Sequence, residues 1–163
     1  MKAIIDRCGV ITGPCQMGKI DQGIFALWVA KHYFKGELNY IGYGGTGKQV
    51  RDVLHIHDLY RLLKIQLENI EKFSGHVYNV GGGREISLSL LELTNLCEKY
   101  TGNKIKIESV LENRKQDVPI YISNITKIQK ESGWKPKISV EQIVKDIVEW
   151  IKENEKDLKD VLS

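Results

Sequence analysis

Short apolar runs alternate with amphipathic segments along most of the chain. Residues 3–11 form a nearly continuous apolar run that stops before the Gly-Pro pair at 13–14, as in a buried strand of a parallel sheet. Apolar residues then recur at helical spacing over residues 21–33, with Asp21 placed to cap the first turn and Gly36 placed to end the helix. The chain therefore predicts a strand followed by a helix.

Two further strands flank a glycine-rich turn. Residues 38–41 and 50–57 are strand-like, and residues 42–47 between them contain four glycines. This arrangement predicts a small strand pairing outside the main sheet. Asp58 is placed to cap a helix that extends to about residue 69.

The rest of the chain continues the alternation of strands and helices. Ser89 and Glu92 have the spacing of a capping box at the start of a helix. The other predicted elements are strands at 76–80 and 104–109, helices at 123–132 and from 139 onward, and a charged tail at 152–159. This order predicts an α/β fold with two or three strands in its main sheet.

Composition narrows the class of protein. A length of 163 residues with 42% hydrophobic and 28% charged residues predicts a single globular domain over residues 1–163. No apolar run approaches the roughly 18 residues of a membrane span, so no membrane partner is expected. The net charge of +3 is dispersed, which argues against nucleic acid as a partner. Three cysteines at irregular spacing fit a reducing cytoplasm and neither a disulfide framework nor a zinc site.

The glycine-rich turn also carries a partial phosphate-binding signature. Residues 42–48 satisfy the GxxxxGK part of a P-loop. A P-loop requires Ser or Thr after the lysine and a following helix, whereas Gln49 follows here and the next segment is strand-like. A glycine-rich hairpin turn is the better interpretation.

Two arginines are candidates for anion binding. Arg51 begins a strand that is otherwise mainly apolar, and Arg114 lies in a polar loop that ends in a proline. A guanidinium can hold a phosphate through paired hydrogen bonds, but on residue type alone a surface ion pair is the better explanation of Arg51, and Arg114 is no stronger a candidate than any other loop arginine. A metal cluster at His55, His57 and Asp58 is disfavoured because no further ligand accompanies them, so no metal is expected.

Four motifs occur in the order found in one enzyme family. They are RCGVITGP at 7–14, GGTGKQVRDVLHIHD at 44–58, NVGGG at 79–83, and the closing pair RKQDVP at 114–119 and GWKP at 133–136. Together they resemble the C-terminal half of extended short-chain dehydrogenase/reductases that act on nucleotide sugars. Within that family, residues 7–23 and 40–52 most resemble epimerases of CDP-linked sugars. The resemblance implies a partial Rossmann-like sheet with a small α/β lobe.

The resemblance also implies roles for particular residues. Arg51 and Arg114 clamp a diphosphate, and the amides of Gln22 and Gly23 at a helix N-terminus bind the same group. Tyr40 and Ile41 line the nucleobase pocket. The implied substrate-binding residues are Arg51, Arg114, Gln22, Gly23, Tyr40 and Ile41.

The implied cofactor is NAD, with the backbone of Cys8 and Gly9 near the nicotinamide. In this family the cofactor loop and the catalytic Tyr-x-x-x-Lys pair precede the strand that carries Arg7, and only six residues precede Arg7 here. The NAD-binding Rossmann half is therefore expected to be absent. We expect no catalytic residue in this chain, no tight NAD binding and no isomerase activity from the chain alone. A stand-alone nucleotide-sugar-binding module, a subunit that docks with a separately encoded N-terminal half, and a homo-oligomer remain alternatives.

Overall fold

The computed structural model describes residues 1–19, 22–115 and 117–162. The strands are β1 (Ile5–Cys8), β2 (Val10–Thr12), β3 (Leu38–Ile41), β4 (Val50–His55), β5 (Val77–Val80), β6 (Ser87–Ser89), β7 (Ile107–Val110) and β8 (Ile120–Tyr121). The helices are α1 (Ile24–Tyr33), α2 (Ile56–Glu68), α3 (Ile70–Phe73), α4 (Leu90–Thr101), α5 (Thr126–Ser132), α6 (Val140–Glu153) and α7 (Glu155–Leu162). The fold is α/β with parallel strand pairs, as predicted.

The first apolar run forms two strands where one was predicted. β1 pairs in parallel with β5, and β2 pairs in parallel with β4, so the chain changes partner at Gly9. A Cβ atom on Gly9 would lie 3.0 Å from the Ser123 hydroxyl and 3.1 Å from the Asp52 carboxylate, which explains the need for glycine there. The predicted burial of this run is wrong for β1, where Ile5 is 57% exposed.

The strand pairing differs from the prediction in the glycine-rich region. β3 and β4 were expected to pair with each other, but β3 pairs with β7, and β4 pairs with β2, β6 and β8. Five of the six residues at 42–47 have positive φ, and Tyr43–Gly45 form a short 3-10 turn. This turn directs β4 into a different sheet. It is not followed by a helix, which agrees with the rejection of a P-loop.

The larger hydrophobic core surrounds α1. Six consecutive residues, 25–30, are buried, because α4 and α6 pack against this helix. The Trp28 indole Nε1 donates a hydrogen bond to the Thr94 hydroxyl at 2.9 Å. The predicted charged tail is instead the helix α7, whose Leu158 and Leu162 are buried in the same core. Most residues of this segment are charged, so the sequence alone does not reveal that these two leucines are buried.

The smaller core lies beneath α2 and depends on a buried carboxylate. Asp58 was predicted to cap α2, but the cap is the His55 ring, which accepts a hydrogen bond from the His57 amide. The Asp58 carboxylate accepts hydrogen bonds from the amides of Lys137 and Ile138 at 2.8 and 2.9 Å, and it also pairs with Arg61. Asp58 thus joins the start of α2 to a segment about 80 residues away in sequence.

The helix caps predicted from residues close together in sequence are confirmed at α4 and α6. Ser89 and Glu92 form the predicted capping box of α4, and Ser139 caps α6. The predicted cap at Asp21 lies outside the described residues. The helix predicted at 123–132 is shorter and begins at Thr126.

Two histidines are fully buried in the protein. His32 contacts the Trp28 carbonyl through Nδ1 at 2.7 Å. His55 lies in β4, with Nε2 3.3 Å from the Asp146 carboxylate. Burial lowers the pKa of both histidines, and for His55 this effect outweighs the opposing effect of Asp146.

We expect Asp58→Ala to lower the free energy of unfolding by about 2 to 4 kcal/mol, because it leaves two amide donors without their acceptor. Urea denaturation measures this loss. Asp160→Ala, at an exposed position of α7, serves as the control and should unfold at nearly the wild-type denaturant concentration. Equal destabilisation by the two substitutions would contradict the role given to Asp58.

We also expect the free energy of unfolding to fall as the pH is lowered from 7.5 to 5.5. The folded-state pKa of each buried histidine lies below its unfolded value of about 6.5, so protons bind first to the unfolded chain. The loss reaches up to about 1.4 kcal/mol for each histidine at pH 5.5. His32→Gln should weaken the pH dependence, which urea denaturation at pH 7.5 and 5.5 measures, and an unchanged dependence would contradict the effect given to the buried His32 ring.

Candidate functional site

A cleft of ≈ 840 Å³ lies between the start of α1, β3, the start of β4 and the loop before β8. Its apolar wall comes mainly from α1, β3 and the start of α4, and its charged residues lie on three separate segments. The lining residues are Val10, Ile11, Gln22, Gly23, Ile24, Phe25, Leu27, Trp28, Lys31, Glu37, Leu38, Asn39, Ile41, Gln49, Arg51, Leu88, Ser89, Leu90, Leu93, Arg114, Lys115 and Asp117.

Arg51 holds a fixed position at the cleft wall. Arg51 is the second residue of β4, and its guanidinium donates a hydrogen bond to the backbone carbonyl of Val50 at 2.8 Å. A second guanidinium nitrogen lies 2.6 Å from the Asp117 carboxylate, and both side chains are 24% exposed. The strand and the ion pair together restrict the guanidinium, so that it faces the cleft with part of its surface available to an anion.

Arg114 lies in the same cleft, although 63 positions separate it from Arg51 in sequence. Its exposed side chain is accompanied in the lining of the cleft by Lys115 and by Lys31 of α1. Four cations therefore line the cleft, against two carboxylates, Glu37 and Asp117. This balance favours an anionic ligand.

Gln22 and Gly23 lie at the cleft where α1 begins. Gly23 is the N-cap in a left-handed conformation, with φ of 73°. The Gln22 amide donates to the Lys19 carbonyl at 3.2 Å, so a ligand that binds this amide must replace that contact. The positive end of the α1 dipole still faces the cleft.

Of the two residues implied for a nucleobase pocket, Ile41 lines the cleft and Tyr40 does not. The Tyr40 ring packs against Trp28 with centroids 6.0 Å apart, and its hydroxyl lies 2.6 Å from the Thr94 hydroxyl. These contacts direct the Tyr40 ring toward the larger core, although Leu38, two residues earlier on β3, lines the cleft. Tyr40 thus does not line this cleft, and the place in a nucleobase pocket that the resemblance implies for it stays a prediction.

Cys8 and Gly9 do not line the cleft and lie at the junction of β1 and β2. The space next to the Gly9 Cα is filled by Asp52 and Ser123, and its amide donates to the Val80 carbonyl at 2.9 Å. Desolvation and the nearby Asp6 carboxylate raise the pKa of the exposed Cys8 thiol. The backbone at Cys8 can border a nicotinamide, but the described residues offer no glycine-rich loop at a helix N-terminus to hold the rest of NAD.

Two residues of the cleft escaped sequence analysis. The sequence points to Asp117 only through a family motif. It points to Gln49 only because glutamine stands where a P-loop requires Ser or Thr. Their roles depend on contacts to Arg51 and to the Ile41 carbonyl, which local sequence does not reveal. One sequence feature could have identified Gln49: it lies two residues before Arg51, and residues at that spacing in an extended segment point to the same side.

The spacing Tyr-x-x-x-Lys occurs twice in the sequence, outside the cleft. Tyr60 and Lys64 lie on α2, whereas Tyr100 lies in the last turn of α4 and Lys104 lies beyond the end of that helix. Neither pair lines the cleft, so the spacing alone assigns no catalytic role here. Among the described residues, no three acidic, histidine or cysteine side chains gather as a metal site, and no helix is long and apolar enough to cross a membrane.

Comparison with known proteins identifies relatives of the chain. The sequence model of the GDP-mannose 4,6 dehydratase family matches residues 1–147. The chain is 33% identical to CDP-paratose 2-epimerase of Salmonella typhi over 152 residues, which are 92% of this chain and 45% of that protein. It is 32% identical to UDP-glucuronate 4-epimerase of Thermodesulfobacterium geofontis over 150 residues, which are 91% of this chain and 42% of that protein.

Solved structures support the same relationship. UDP-glucose 4-epimerase of Thermotoga maritima with UDP-glucose matches with a TM-score of 0.79 at 28% identity, over 94% of this chain and 47% of that one. The dTDP-glucose 4,6-dehydratase of Bacillus anthracis in complex with NAD matches with a TM-score of 0.76 at 28% identity, over 97% of this chain and 47% of that one.

The chain spans less than half the length of the relatives that it matches. The match to the family model covers most of the chain, and the relatives are nucleotide-sugar epimerases and a dehydratase. The chain therefore belongs to the GDP-mannose 4,6 dehydratase family, within the nucleotide-sugar epimerases and dehydratases of the extended short-chain dehydrogenase/reductases.

Proposed function

We propose that this chain is the nucleotide-sugar-binding portion of an NAD-dependent epimerase, and that its ligand is a CDP-linked sugar. The proposal depends chiefly on one observation: Arg51 and Arg114, which are far apart in sequence, line the same cleft beside the N-terminus of α1. Two guanidinium groups and a helix dipole are the recognition elements that a diphosphate requires.

The rest of the cleft suits the remainder of such a ligand. Leu38, Ile41 and Leu90 provide an apolar wall against which a flat base can pack, and Asn39 adds a polar side chain beside it. We propose cytosine as the base because the chain is 33% identical in sequence to CDP-paratose 2-epimerase. We further propose that the complete enzyme is an isomerase of carbohydrate biosynthesis and acts in the cytoplasm.

In the complete enzyme, NAD supplies a hydride acceptor and donor. This chain's own residues contribute binding and orientation: the arginines hold the diphosphate, and β3 and α1 enclose the nucleoside. Because no described residue in the cleft forms a Tyr-x-x-x-Lys pair, we assign the chain no catalytic residue and expect no turnover from it alone.

A second candidate function is docking to a separate cofactor-binding half, and the exposed sheet of β1 and β5 favours it. Ile5 and Val77 are paired neighbours on one face of this sheet and are 57% and 36% exposed, whereas Tyr78 and Val80 on the other face are buried. Parallel sheets are normally covered on both faces. No strand in the described part of the chain pairs with the other edge of β1, which leaves that edge open to a partner or to a second copy.

Arg51→Ala should weaken the binding of CDP roughly 30-fold, which corresponds to about 2 kcal/mol, because it removes a charge-assisted contact and releases the Asp117 carboxylate into the cleft. Calorimetric titration with CDP, UDP and NAD measures the effect. Arg84→Ala, at an exposed position outside the cleft, is the matched control and should bind CDP like the unmodified chain. No binding of CDP by the unmodified chain would reject the proposed function and favour the docking role.

Asp117→Asn should strengthen the binding of inorganic diphosphate several-fold, because it removes a carboxylate that competes for Arg51. Glu112→Gln provides the control, since it removes the same charge from an exposed residue that does not line the cleft. If both variants bind diphosphate equally well, general charge explains the change and Asp117 has no specific effect on Arg51.

A further inference from the structure

Gln49 is buried at the wall of the cleft and has an unused hydrogen-bond acceptor. Its side chain is only 8% exposed, and its Oε1 atom has no hydrogen-bond partner among the described residues. Four other buried polar atoms share this property, in His32, Asp52, His55 and Ser123, but none of those residues lines the cleft. An unpaired buried acceptor costs free energy unless a ligand or water satisfies it.

The orientation of the Gln49 amide is fixed by its other end. Nε2 donates a hydrogen bond to the Ile41 carbonyl at 2.6 Å. The reversed orientation would place two carbonyl oxygens at that distance, which is repulsive because neither atom carries a hydrogen. Oε1 is therefore held as an acceptor and cannot exchange places with the donor.

The position of Gln49 relative to Arg51 indicates which part of a ligand it can meet. Gln49 directly precedes β4 and Arg51 is the second residue of that strand, so their backbones lie roughly 6 to 7 Å apart. The diphosphate bridge of a nucleotide sugar is esterified at both ends, so near neutral pH it presents only acceptor oxygens at Arg51 and cannot satisfy Oε1. The donor must come from a different part of the same ligand.

The surroundings of Gln49 favour the nucleoside over a hexose. Its side-chain amide donates a hydrogen bond to the Ile41 carbonyl of β3. Its backbone carbonyl accepts a hydrogen bond from the Leu90 amide at 3.2 Å. Both neighbouring residues contribute apolar side chains to the cleft. A single acceptor within an apolar wall suits a base or ribose edge, whereas a hexose with hydroxyl groups around its ring needs several polar partners.

We propose that Gln49 is a ligand-binding residue whose Oε1 accepts a hydrogen bond from an N–H or O–H group of the bound nucleoside. The proposal deepens the nucleotide-binding function proposed above and rests on it. Gln49 selects for the nucleoside, while Arg51 holds the diphosphate whichever nucleoside is attached.

The test compares CDP with inorganic diphosphate in calorimetric titrations of the full chain. Gln49→Met keeps the length of the side chain and removes both polar atoms. We expect its Kd for CDP to rise roughly 5- to 20-fold, with the Kd for inorganic diphosphate unchanged. Gln129→Met, outside the cleft, should leave both values unchanged. A change in folding alone would alter the two ligands together, so the ratio of their Kd values isolates the proposed contact.

Two further ligands identify the donor group. If the penalty of Gln49→Met disappears with UDP, the exocyclic amine of cytosine is the donor; if it disappears with 2′-deoxy-CDP, the ribose hydroxyl is. Equal CDP affinity of Gln49→Met and the unmodified chain would overturn the proposal, as would equal weakening of CDP and diphosphate. Failure of the unmodified chain to bind CDP would instead reject the proposed function together with this inference.

Discussion

The buried Asp58 carboxylate holds together parts of the molecule that sequence places far apart. Its two amide partners precede α6, and its backbone carbonyl accepts a hydrogen bond from the Trp134 indole at 2.9 Å. Because Asp58 lies in the first turn of α2, directly after β4, these bonds fix the strand that carries Arg51. The family motif around residues 133–136 is therefore structural, and the position of the cleft wall depends on it.

The cleft lies beside the most rigid part of the larger core. α1 is buried on nearly all sides between α4 and α6, and its N-terminal end opens into the cleft. β3, joined to β7, forms a neighbouring wall that presents Leu38, Asn39 and Ile41 to the cleft. Recognition groups placed on such packed elements lose little conformational freedom when a ligand binds, which favours binding in a defined orientation.

Sequence predicted the features that local physics determines. The strand Leu38–Ile41 and the capping box of α4 were placed correctly, because alternation and capping involve only near neighbours. The pairing of β3 with β7 was not predicted, since strand register depends on the packing of the helices between them. Similarly, the arginines were each recognised as candidates, but their meeting in one cleft came only from resemblance, and the contact of Gln49 with Ile41 requires the folded chain.

The excess of cations over carboxylates around the cleft also affects kinetics. Such a field draws anions toward the cleft from beyond contact distance, and it weakens over about 8 Å at physiological ionic strength. Salt therefore slows the encounter of a charged ligand with Lys31, Arg51 and Arg114. Short-range contacts buried in the wall act after encounter and govern how long the complex lasts. The charged rim and the apolar wall thus control separate stages of the same binding event.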